Sequence, residues 1–164
     1  HMALIVKLDE PWLTDVGFGD SSVRPLRFVP DVTQSDGRRD YRLIHGGDAW
    51  IMQERDRETG KWSHGYTFTT TPRALEDYVA MCDYQQTSPD SGFTKRLICS
   101  RATGTGRISL SNARLIVTVG DKREEHYLAS TSEIRVVLVQ YFDVALTVEA
   151  IATMFASIDV SLRT

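Results

Sequence analysis

The sequence predicts an α+β protein: a β-rich first half, read as an antiparallel sheet or small barrel, followed by a smaller mixed half. Three observations carry this. Apolar and polar residues alternate between short polar turns over most of residues 2–70. The period becomes helical at Leu75, Tyr78, Val79 and Cys82. Short strands then return, and two capped helical stretches close the chain. A length of 164 residues suits one domain or two small lobes.

Each element has a local reason. Residues 3–8 form a strand that turns at Asp9-Glu10-Pro11 and resumes at Trp12-Leu13. An extended piece at 25–29 stops at Pro30, and residues 33–37 read as a loop with an Asp-Gly turn. Tyr41, Leu43 and His45 alternate with Arg42 and Ile44. Gly46-Gly47-Asp48 then turns the chain into a strand at 49–53. Glu58-Thr59-Gly60-Lys61 predicts another hairpin before Trp62, with Tyr66 and Phe68 alternating against Thr67 and Thr69. Thr71-Pro72 reads as a helix start, a hydroxyl cap before proline, and that helix ends before Ser88-Pro89. Strands follow at 96–100, 107–110 and 114–119, with a hairpin at Gly120-Asp121 leading to 125–128. Ser130 and Glu133 make a capping box for a helix whose apolar face is Ile134, Val137, Leu138, Tyr141 and Phe142. A last helix, capped by Thr147, carries Ile151, Met154, Phe155 and Ile158. The boundary falls between 70 and 84, with the helix there as connector.

Composition narrows the function classes. Apolar residues at 41% and charged residues at 25% are ordinary globular values, which excludes a disordered tail, a collagen-like chain or a coiled coil. A net charge of −3 with scattered basic residues makes no electrostatic case for nucleic acid. No apolar run approaches the roughly 20 residues of a membrane span. Two cysteines form no disulfide framework, and no signal-peptide pattern opens the chain, so a reducing cytoplasm is expected. The chain enters a strand-like run at once, as a piece of a longer protein would.

Few side chains stand out chemically. Asp15 sits among apolar residues in Trp12-Leu13-Thr14-Asp15-Val16-Gly17-Phe18-Gly19, where a carboxylate needs a partner; it is either a turn cap or a paired functional acid. The four histidines show no metal spacing, so no metal is expected. His45 and Asp48 flank a glycine turn and read as solvated. Cys82 and Cys99 read as core residues. Gly104-Thr105-Gly106-Arg107 falls short of a dinucleotide fingerprint and reads as a turn. The hydroxyls of Thr87-Ser88-Pro89-Asp90-Ser91-Gly92-Phe93 suit either phosphate oxygens or a plain loop. These residues by themselves name no function.

Several tracts together do. Trp12-Leu13 with Asp15-Val16-Gly17-Phe18-Gly19, then Arg24-Pro25-Leu26, resemble the arylamine N-acetyltransferase family. So do Tyr66-Thr67-Phe68, Pro72, Glu76-Asp77-Tyr78 and the Thr-Ser-Pro-x-Ser-x-Phe tract at 87–93. Gly106-Arg107-Ile108-Ser109-Leu110 and Tyr141-Phe142-Asp143-Val144 also fit. The resemblance implies a β-barrel domain at 1–84, including the connecting helix, and an α/β lid at 85–164. It also implies an N-terminal helical domain, absent from this chain, with the nucleophilic cysteine in an Arg-Gly-Gly-x-Cys setting. The implied activity is xenobiotic metabolism. An acetyl group passes from acetyl-CoA to an arylamine, arylhydroxylamine or hydrazine through a Cys-His-Asp triad.

On this resemblance Asp15 is the triad acid. His1 is the triad base, although His1-Met2 is also what a cloning junction leaves. A flat hairpin turning at residues 9–11 pairs Asp15 with about Ile5 and leaves His1 roughly 13 Å along the strand, so contact requires a bulge or curvature that Gly17 and Gly19 permit. Phe18 and Gly19 would line the acyl and CoA entrance. Thr87, Ser88, Ser91 and Phe93 are candidates for the pantetheine or pyrophosphate arm. Without its cysteine the chain alone is expected to be inactive. Residues 2–8 and the region of Trp12 and Phe18 should face solvent, ready for a homo-oligomer or for the missing helical domain. The alternatives are part of an ansamycin-type amide synthase, or a non-catalytic relative that binds CoA or a partner.

Overall fold

The structure, a computed structural model, describes residues 1–56, 59–120 and 122–157. The expectations that rest on Glu58, Asp121 and Ile158 lie outside the described residues. The chain divides into two units, His1–Ala74 and Leu75–Thr164. As expected, the fold is α+β with antiparallel sheets. Among the described residues no helix is long and apolar enough to cross a membrane.

The first unit holds two antiparallel sheets. Strands β1 (Leu4–Lys7), β2 (Pro11–Thr14) and β3 (Leu26–Arg27) make one, in that order. Strands β4 (Gln34–Ser35), β5 (Asp40–Gly46), β6 (Ala49–Arg55) and β7 (Trp62–Phe68) make the other. The tract read as a loop at 33–37 thus contains a short strand, paired Gln34 to Tyr41 and Ser35 to Asp40. Inward-facing positions of both sheets meet in one core of Leu13, Leu26, Tyr41, Leu43, Met52 and Tyr66. Fully burying a side chain such as Leu43 or Met52 contributes roughly 1.5–3 kcal/mol. The alternate residues of the first strand, Met2, Leu4, Val6 and Leu8, are exposed as expected, whereas Trp12 is half-buried.

Two details position the site. A bulge at Met52/Gln53 shifts the β6–β7 register, so that Met52 pairs with Tyr66 and Gln53 with His64. The extra residue is Gly65, where a Cβ would stand 2.8 Å from Met52 Cε and 2.9 Å from its carbonyl oxygen. Only glycine allows so close an approach, and the bulge turns the Tyr66 ring into the core.

In the second unit, β8 (Ile98–Ala102), β9 (Gly106–Ser111), β10 (Arg114–Val119) and β11 (Lys122–Tyr127) form a sheet in the order β11-β10-β9-β8. Helices α2 (Thr131–Phe142) and α3 (Val148–Ser157) share its core through Ile134, Val137, Leu138, Ile151 and Phe155, which meet Leu97, Leu110 and Leu115. The capping box forms: Ser130 Oγ accepts from the Glu133 amide at 3.2 Å, while Glu133 Oε2 accepts from the Ala129 amide, one residue earlier than the usual partner. Thr147 Oγ1 caps α3 by accepting from the Ala150 amide.

The middle helix departs from expectation. It begins as a 3₁₀ turn at Leu75–Tyr78 and continues as α1, Val79–Thr87, so Thr71 does not cap it. A residue before proline is held extended, and the acidic pair Glu76 and Asp77, suited to the positive end of a helix, marks the true first turn. No residue of α1 is buried, and the helical stripe of Leu75, Val79 and Cys82 is exposed. The core reading of Cys82 is therefore wrong: helical periodicity was present without a core beneath it. In this division helix α1 lies in the second unit. The loop after it folds back on its last turn, with the Ser88 amide donating to Tyr84 O and Ser91 Oγ to Gln85 O.

Candidate active site

Strand β2 ends at Thr14, and Asp15 is the next residue. Ladder pairs Ile5–Leu13 and Leu4–Thr14 set a register one step tighter than a turn at 9–11 would give. Counting on, Asp15 stands opposite Ala3. His1 is then its diagonal neighbour on the same face, within reach of long side chains without any bulge in that hairpin. The two meet, with His1 Nε2 2.7 Å from Asp15 Oδ2. The Asp15 side chain is 2% exposed and the imidazole 32%, so the pair is shielded on its acid side and open on its base side.

The other Asp15 oxygen is also committed. Oδ1 accepts from the amides of Gly17 at 2.9 Å and Phe18 at 3.1 Å, which closes a tight turn directly after the strand. A carboxylate only accepts, so the imidazole nitrogen facing it carries a proton. Nε2–H donates to Asp15, and in the neutral ring Nδ1 keeps a lone pair for a substrate or thiol proton.

Two rings enclose the imidazole. Phe18 stacks on it, centroids 5.3 Å apart and planes 29° from parallel, and Tyr66 meets it edge-on at 5.2 Å. Phe18 and Tyr66 touch at 4.8 Å. Burial, the Asp15 charge and a hydrogen bond to Asp15 push the Tyr66 hydroxyl well above the ordinary phenol range, so it stays a donor to that carboxylate. Alternation in the sequence places Tyr66 only as a core residue. Its hydroxyl, of a kind that usually finds a partner when buried, is the one signal that could have drawn it into the site. Tyr66→Phe should keep the fold and lose about 1.5–3 kcal/mol of stability, the worth of a hydrogen bond to a charged group. Urea denaturation measures this, and a loss below about 0.5 kcal/mol would remove Tyr66 from the Asp15 cluster.

Comparison with known proteins places the chain in a family. The sequence profile of the N-acetyltransferase family matches residues 1–151. The chain belongs to the arylamine N-acetyltransferase family. It is 28% identical over 170 residues to the arylamine N-acetyltransferase of Escherichia coli, covering 97% of this chain and 60% of that one. It is 31% identical over 140 residues to proansamycin X synthase of Amycolatopsis mediterranei, covering 82% of this chain and 53% of that one. The structure of Mycobacterium marinum arylamine N-acetyltransferase in complex with CoA superposes with a TM-score of 0.82 at 26% identity, covering 97% of this chain and 60% of that one. The chain thus spans 60% or less of the length of these relatives.

The remaining residues expected to matter in an arylamine N-acetyltransferase are placed as follows. Gly19 follows Phe18 in the first unit with φ at +32°, in a conformation that side chains seldom take. Thr87, Ser88, Ser91 and Phe93 lie in the second unit. Their hydroxyls serve the loop itself: Thr87 Oγ1 donates to Asp83 O, Ser88 Oγ accepts from the Asp90 amide, and Ser91 Oγ donates to Gln85 Oε1 at 2.7 Å. Ser91 is buried and also accepts from the Phe93 amide, while the Phe93 ring is exposed. The tract therefore builds an internally hydrogen-bonded loop that displays Phe93. Cys99 is half-buried in β8, where burial pushes its thiol up, away from the thiolate. Among the described residues no three of His, Cys, Asp and Glu gather as a metal site would need.

Proposed function

We propose that His1 and Asp15 are the acid–base pair of a thiol-dependent acyl transfer, moving acetyl from acetyl-CoA to an arylamine, arylhydroxylamine or hydrazine. The 2.7 Å contact that commits Nε2 to Asp15 and leaves Nδ1 as the base carries this reading. Nδ1 takes the proton of a cysteine thiol, and the thiolate attacks the thioester carbonyl of acetyl-CoA. The carbon–sulfur bond to CoA breaks, and the CoA thiolate leaves with the proton from His1. The acceptor amine then attacks the acetyl-cysteine and gives its proton to Nδ1, and the restored thiolate recovers it. Asp15 holds the tautomer and steadies the imidazolium between steps.

Phe18 and Gly19 shape the acyl entrance, and the loop at 87–93 offers Phe93 to the CoA arm; the relative solved with CoA supports that cosubstrate. The nucleophile belongs to an Arg-Gly-Gly-x-Cys segment rather than to Cys82 or Cys99. A reducing cytoplasm suits the thiol. The exposed stripe of Met2, Leu4, Val6 and Leu8 is where a helical segment or a second copy would sit.

The likeness to proansamycin X synthase favours a second reading, amide formation on a tethered acyl group by the same pair. Incubation of the chain with acetyl-CoA and an arylamine should give no turnover, and supplying the cysteine-bearing segment should restore it. Turnover lost on Cys82→Ala alone would place the nucleophile on α1. Turnover that survives Cys82→Ala with Cys99→Ala, and without the segment, would overturn the thiol mechanism.

A further inference from the structure

The loop from Asp15 to Pro25 carries Phe18 yet belongs to no strand, and Val16 at its start is fully exposed. Phe18 packs on His1 and Tyr66, and Ser21 is buried, but these contacts are not the loop's only anchors. Side-chain carboxylates hold it at three further points. Asp15 closes its first turn, and Asp36 Oδ2 accepts from the Val23 amide at 3.0 Å near its end. Between them lies Asp20, two residues from Phe18. Arg38 Nη2 donates to Asp20 Oδ1 at 3.0 Å, Arg39 Nη2 to Oδ2 at 2.5 Å, and Arg39 Nη1 to the Asp20 carbonyl at 3.0 Å. Both carboxylate oxygens and the backbone are gripped, which sets orientation as well as position.

The grip is tied to the sheet. Arg39 Nη1 also donates to Glu54 Oε2 on β6 at 2.9 Å. The buried Asp36 accepts from the amides of Arg38 and Arg39 through Oδ1, both at 2.8 Å, and so presents the two arginines side by side. Burial alone would raise the Asp36 carboxyl, but those amides, the Val23 amide and the Arg38 charge outweigh it and hold the carboxyl below its ordinary range. Exposed ion pairs contribute little to stability, and Asp20 is 40% exposed. Two guanidiniums on one such carboxylate are better explained by placement.

We propose that Asp20, clamped by Arg38 and Arg39, is a positioning residue that holds the 16–22 loop so that Phe18 stays stacked on His1. The functional sense of this rests on the acid–base reading of His1 and Asp15. Its test reads ring geometry in the intact chain and needs no turnover, so failure of one does not mimic failure of the other.

Phe18 stacking should shift the carbon-bound proton resonances of the His1 ring by its ring current, and Phe18→Ala reports the unstacked values. In Asp20→Ala the His1 signals should move most of the way to the Phe18→Ala values, while amide signals of β5, β6 and β7 keep theirs. The double variant Arg38→Lys with Arg39→Lys keeps the charges and removes the forks; it should move the His1 signals the same way. Asp20→Asn, which keeps the shape and one acceptor, should move them part of the way. Unmoved His1 signals in folded Asp20→Ala, or in the double lysine variant, would overturn the proposal. Global unfolding of both Asp20→Ala and Asp20→Asn would overturn it too, because the clamp would then be a determinant of folding.

Discussion

Asp15→Asn should leave the first unit folded and cut the proposed acyl transfer by about 10³–10⁴-fold, measured on the chain joined to an Arg-Gly-Gly-x-Cys segment. The reason lies in how the two carboxylate oxygens are used. Oδ1 must keep accepting from the Gly17 and Phe18 amides, so the amide oxygen of asparagine takes that place. Its NH₂ group then faces His1 Nε2, where Oδ2 now stands at 2.7 Å. Two donors cannot face each other, so Nε2 gives up its proton and Nδ1 takes it. The ring is then in the tautomer that cannot accept from a thiol. Nitrogen chemical shifts of the His1 ring report this exchange directly, and urea denaturation reports the fold. A folded variant with near-full turnover would remove Asp15 from the proposed acid–base pair. A variant that does not fold would make the carboxylate a structural partner of the loop.

Gly106→Ala should cost the second unit about 4 kcal/mol or more, the range reserved for backbone clashes and core disruption. A Cβ at this position would overlap the Thr118 carbonyl oxygen, lie 2.7 Å from its carbon and crowd Val119 Cα at 3.1 Å. Both neighbours are backbone in mid-ladder, held by the pairs Thr118–Arg107 and Val119–Gly106, so neither can turn aside. Gly104 has open space around it and no left-handed backbone. Gly104→Ala is the control, expected within about 0.5 kcal/mol of the parent. Thermal unfolding followed by circular dichroism compares the two. If Gly106→Ala melts with the parent, β9 and β10 are not packed this closely.

Local signals carry most of the fold. Alternation finds β5, β6 and β7 because each has a wet and a dry face, and Ser130, Glu133 and Thr147 find α2 and α3 because a helix start needs hydroxyl or carboxylate partners for its bare amides. The same signals fail at α1. Leu75, Val79 and Cys82 have the spacing of a buried stripe, yet periodicity reports only which residues share a face, not what covers it. The short β4 is missed because two residues are too few for a period; its strand character comes from its partner, β5.

The site divides in the same way. Asp15 stands out in the sequence because a carboxylate among apolar residues needs a partner, and the family resemblance adds His1, Phe18 and Gly19. Their meeting, however, depends on the register of the β1–β2 hairpin, and one step of turn length separates a contact from a gap of roughly 13 Å. Tyr66 joins the cluster through the bulge opposite Met52, and Asp20 through arginines 18 and 19 residues away. Turns, caps and periods are properties of neighbouring residues and can be read along the chain. Register, bulges and carboxylate–guanidinium grips are properties of pairs distant in sequence, and only folding brings those pairs together.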